Sequence, residues 1–119
     1  MTNDPQQVTI QDTEIGNNLP CYIIAEIGIN HNGKLELAKK LIDVAVDAGA
    51  NAVKFQKRNL NELYKNNLLD DPNLESQGFE ILVEVLREVE FNESEYNEII
   101  NYCKEKQITF LCTPWDISS

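Results

Sequence analysis

Three short apolar runs punctuate this chain, and helical patterns fill the space between them. Tyr22–Ile27 is nearly continuous in apolar residues, as a strand covered on both faces requires. Ala52–Gln56 and Ile108–Cys112 repeat the design. Asn32-Gly33 opens a helix running from about Lys34 to Ala48, with Ala38, Leu41, Ile42, Ala45 and Ala48 at helical spacing and Gly49 as its stop. A second helix covers roughly Phe79–Val89, with Phe79, Leu82, Val83 and Leu86 on one side. Asn92 followed by Glu95 reads as a capping box for a third helix, to about Lys106, whose stripe is Tyr96, Ile99, Ile100 and Cys103. Residues 1–20 form a polar lead-in with a short strand at Val8–Ile10 and a turn at Gly16-Asn17-Asn18. Residues 57–78, with Asp71-Pro72 and Gly78, form a long polar excursion of the kind that makes functional lids or mobile loops.

The order is β-α-β-(lid, α)-α-β, which implies parallel strands joined by right-handed crossovers. Side chains alternate along each strand. Ile23, Ala25 and Ile27, Val53 and Phe55, and Ile108, Phe110 and Cys112 make one apolar face for helices to cover. The opposite face carries Glu26, Lys54, Gln56 and Thr113, mostly near the strand ends. A barrel has this layout, with helices outside and a polar mouth at the C-terminal rim. Three strands cannot close one, and they leave an edge to be covered. A carboxylate and an ammonium on neighbouring strands call for each other or for a shared ligand.

Composition removes other classes. Twenty acidic against ten basic residues give a net charge of −10, which argues against a nucleic-acid or anionic-membrane partner. No run of about 20 apolar residues spans a membrane, and no signal peptide is visible, so the expected location is cytoplasmic. Cys21, Cys103 and Cys112 show no C-x-x-C spacing and read as reduced, buried thiols. A doubly wound nucleotide-binding domain lacks its G-x-G-x-x-G or P-loop here.

Tyr22–Gly33 (YIIAEIGINHNG), the following LAKKLIDVAVDAGANAVKFQKR, Tyr102–Lys106 and FLCTPWD together resemble the N-terminal part of the N-acetylneuraminate (sialic acid) synthase family, which includes legionaminic acid, pseudaminic acid and spore-coat polysaccharide synthases. The resemblance runs from about Ile15 to Ser119. It implies that 21–119 is about three of the eight strands of a (β/α)8 TIM barrel. The reaction it implies condenses phosphoenolpyruvate with an N-acylated amino sugar (N-acetylmannosamine or a 2,4-diacetamido sugar) to a nine-carbon 2-keto sugar acid. Under it, Glu26 is the catalytic first-strand glutamate. Lys54 and Thr113 bind phosphoenolpyruvate, Gln56 neighbours them, and His31 in the first loop is a lesser substrate-binding candidate. It further implies a divalent metal, Mn or Mg, held by histidines of later strands, a C-terminal antifreeze-like domain, and homodimeric full-length relatives. The 119 residues then read as a truncated or split product or a fragment, expected to be inactive alone. One departure is Gln107, where a left-handed glycine is expected after the helix, at a cost of about 1 kcal/mol.

Plainer readings stand beside these. Glu26 and Lys54 could form a structural ion pair, and His31 could be a loop or cap residue. Lys57 and Arg58 could be solvated or attract phosphate, and Trp115 could serve packing. The non-enzymatic alternative is an α/β module that binds a phosphorylated ligand or complements a second polypeptide.

Overall fold

The computed structural model of the chain describes residues 7–64 and 77–119. A hairpin of β1 (Val8–Ile10) and β2 (Thr13–Ile15) precedes the main sheet. That sheet holds β3 (Ile24–Gly28), β4 (Ala52–Lys57) and β5 (Thr109–Pro114), parallel and in sequence order. Helix α1 (Leu35–Asp47) links β3 to β4. A single turn, α2 (Leu60–Leu63), follows β4, then α3 (Gln77–Val89) and α4 (Glu93–Glu105) lead to β5. The chain is therefore α/β with an open, three-stranded parallel sheet.

The apolar sheet face packs under α1 and α4. Ile27, Val53 and Phe55 from the strands and Ile108, just before β5, meet Ala38, Ile42 and Ala45 of α1 and Tyr96, Ile99 and Cys103 of α4. Phe91, in the turn between α3 and α4, is fully buried in the same cluster. The capping box at Asn92 is present: its side chain accepts the Glu95 N–H at 3.0 Å and Glu95 Oε2 accepts the Asn92 N–H at 2.9 Å.

Four expectations shift. The first strand starts at Ile24 rather than Tyr22, and Ile23 and Ile24 are half exposed because β3 is an edge strand with nothing described beyond it. The lead-in holds a full hairpin, turned at Gln11, which adopts φ 52° without being glycine. Helix α3 begins at Gln77, so Gly78 lies within it, and its buried stripe is Val83, Leu86 and Val89, leaving Leu82 outward. Cys21 is exposed, since the residues before β3 pack against little; Cys103 is buried and Cys112 half-buried. The core of the expected lid, 65–76 with Asp71-Pro72, lies outside the described residues.

Candidate functional site

Register brings the polar strand-end residues together. Glu26 sits opposite Lys54, and Gln56 opposite Thr113, on one face of the sheet. Lys54 Nζ lies 2.7 Å from Glu26 Oε2. Both side chains are more than a third exposed, so the pair contributes no more than about 1 kcal/mol to stability. An ion pair this accessible is open to exchange with an incoming anion.

A bulge between Glu26 and Gly28 ends β3, and Gly28 takes φ 57°. A Cβ at position 28 would lie 3.3 Å from Gln56 Nε2 and 3.5 Å from Glu26 Oε1. Glycine suits this left-handed position, and the carboxylate and the amide both border the space beside it.

His31 does not join this group. Its ring is 1% exposed, stacked on Phe91 at 4.0 Å and tilted against Phe55 at 5.8 Å. Nδ1 accepts the Gly33 N–H at 3.1 Å, and Nε2 is buried without a hydrogen bond among the described residues. Burial lowers its pKa to about 4, against smaller upward pushes from the Gly28 carbonyl and Glu95. The packing explains the position: the tight turn Ile29–Lys34 folds the ring under Phe91.

Sequence reasoning left the second strand's extension undervalued. Arg58 is not solvated but buried. Its Nη2 donates to Gln56 Oε1 at 2.5 Å, and its guanidinium lies 4.5 Å over the Trp115 ring. Glu90, just after α3, accepts the Arg58 backbone N–H at 3.0 Å and holds Lys57 Nζ at 3.3 Å. Trp115 N–H donates to the Lys57 carbonyl at 3.0 Å, and Asn59 N–H to Asp116 Oδ2 at 2.5 Å. Tyr96 Oη donates to the Gln56 carbonyl at 2.5 Å. One signal was available: 54, 56 and 58 share the strand's alternation, so Arg58 continues the polar face.

Among the described residues, no three His, Cys, Asp or Glu side chains cluster as metal ligands. His31, with one nitrogen bonded and the ring in the core, does not fit that role either. The described residues thus do not build a site for the divalent metal that the resemblance implies. Burial pushes the Cys103 thiol up to about 11. Nor is any described helix long and apolar enough to cross a membrane.

The described residues thus place an acid, a base, an amide and a hydroxyl on one face of a parallel α/β sheet. The model of the NeuB family matches residues 41–119, and the chain belongs to that family. Over 113 residues it is 38% identical to the spore coat polysaccharide biosynthesis protein SpsE of Bacillus subtilis, a match covering 92% of this chain and 29% of that protein. It is 36% identical over 103 residues to human N-acetylneuraminate-9-phosphate synthase, covering 86% of this chain and 29% of that one. The crystal structure of an N-acetylneuraminic acid synthetase from Leptospira borgpetersenii superposes with TM-score 0.78 at 36% identity, covering 96% of this chain and 36% of that one. The chain thus spans less than a third of the length of these curated relatives.

Proposed function

We propose that this chain supplies the first three strands of a (β/α)8 barrel that condenses phosphoenolpyruvate with an N-acylated amino sugar. One observation carries the reading: Glu26 opposite Lys54 and Gln56 opposite Thr113 form two polar rows on one face of three parallel strands. In the reaction, C3 of phosphoenolpyruvate forms a bond to the sugar's aldehyde carbon. Water adds at C2, and the C–O bond to phosphate breaks, giving a 2-keto sugar acid and inorganic phosphate. Lys54 offers a positive charge to the anionic substrate, releasing Glu26 from their ion pair as it does so. Glu26 is then free to accept a bond from a sugar hydroxyl and to move a proton. Thr113 donates its hydroxyl to the same anion, and Gln56 adds a neutral donor.

The sheet's outer edges favour completion by further strands, from the same polypeptide or another, and the 119 residues alone are expected to release no phosphate from phosphoenolpyruvate. The test is a thermal melt of the chain with and without phosphoenolpyruvate. A ligand at about 100 times its Kd should stabilise the fold by about 2.7 kcal/mol. The K54Q variant should lose that shift. A melt that phosphoenolpyruvate leaves unmoved in the unmodified chain overturns the reading.

A further inference from the structure

We propose that Arg58 is a positioning residue, which fixes the side-chain amide of Gln56 so that Nε2 is presented as a donor to an anionic oxygen beside Glu26. The inference rests on the reading of the site given above. A glutamine amide has two nearly isosteric orientations that exchange oxygen for nitrogen. A guanidinium carries donors only, so Arg58 selects Oε1, which its Nη2 meets at 2.5 Å. Nε2 is then left without an acceptor among the described residues, bordering the space beside Gly28.

Arg58 is built to hold that geometry. It is 7% exposed, yet among the described residues no carboxylate pairs with it and its Nη1 is buried without a partner. Burying a guanidinium this way costs free energy that an ordinary ion pair would offset. Here the charge faces a neutral amide oxygen instead. Trp115 stacks under the guanidinium, and Glu90 accepts the residue's backbone N–H. The Tyr96 bond to the Gln56 carbonyl fixes the backbone from the other side. Glu90, Tyr96 and Trp115 lie far apart in sequence, so the tertiary fold holds Arg58 and, through it, the amide.

The test follows the side-chain NH₂ resonances of Gln56 in the 15N-labelled 119-residue chain, identified by their loss in Q56E. In the unmodified chain they should be a distinct pair, resolved from the free-glutamine positions. In R58K, which keeps the charge but not the planar fork, and in W115A, they should move to free-glutamine positions. The Kd for phosphoenolpyruvate should rise about tenfold in R58K. A free-glutamine signal in the unmodified chain, an unchanged signal in R58K, or, where the unmodified chain binds phosphoenolpyruvate, unchanged binding by R58K overturns the proposal. If the unmodified chain binds no phosphoenolpyruvate while R58K still frees the amide, the reading of the site fails and the positioning stands.

Discussion

Burial keeps the imidazole of His31 neutral, and that has a sign in stability. Its folded pKa, about 4, lies below the unfolded value of 6.5, so the unfolded chain binds the proton first. Its contribution is complete above about pH 6.5 and is lost as the pH falls towards about 4. A shift of this size corresponds to roughly 3 kcal/mol at most. In H31F, which preserves the stack on Phe91, the dependence of unfolding free energy on pH should flatten across that window. Denaturant melts at several pH values check it, and an unchanged slope would contradict the assignment. Gln107 makes a second case. It adopts φ 56°, the left-handed conformation expected of a glycine there. Q107G should stabilise the chain by about 1 kcal/mol, raising the melting temperature by roughly 4 °C. This strain was legible because helix ends have a sequence grammar. The pairing of Glu26 with Lys54 was legible too, since strand alternation puts both on one face. Arg58 was less so, because its environment comes from Glu90 and Trp115, far off in sequence, and local pattern carries no record of them.

Elements were legible where their periodicity is strong. Helices α1 and α4 begin and end within a residue or two of the expected bounds, because Gly49 and the Asn92 cap mark them. The β1–β2 hairpin was only half legible, since its turn uses Gln11-Asp12 in place of an Asn-Gly signal. The face of α3 was legible in part: Val83 and Leu86 turn inward as their spacing places them, whereas packing leaves Leu82 outward and adds Val89, and the Phe79 side chain lies outside the described residues. The contact between the α1 entry and the α3 exit was invisible as well. A Cβ at Gly33 would sit 2.3 Å from the Glu88 carbonyl oxygen, and the residue has φ 68°. G33A therefore meets backbone, which cannot rotate away, and a disfavoured conformation at once. It should destabilise the chain by more than about 2 kcal/mol. N92A removes only a cap and should cost about 1 kcal/mol. Equilibrium unfolding of the two variants checks the order, and equal losses would show that the junction relaxes.

For the molecule as a whole, the sheet's two outer edges decide behaviour in solution. Strands β3 and β5 each pair on one side only, among the described residues. Ile23 and Ile24 beside β3 are 50% and 44% exposed, and Val44 on the neighbouring helix is 64% exposed. An unpaired edge flanked by apolar side chains is a template for pairing with another chain. Opposing this is a net charge of −10, which makes copies repel one another. The two effects differ in salt dependence. Repulsion is screened as the Debye length falls from about 30 Å at ~0.01 M salt to about 3 Å at ~1 M, whereas apolar burial is not weakened by that change. The 119-residue chain should therefore stay dispersed at low salt and associate as salt rises. Sedimentation velocity across that range checks it. A species that stays monomeric at high salt would mean that the edges are protected within the chain itself, and the case for completion by further strands would lose its support from packing.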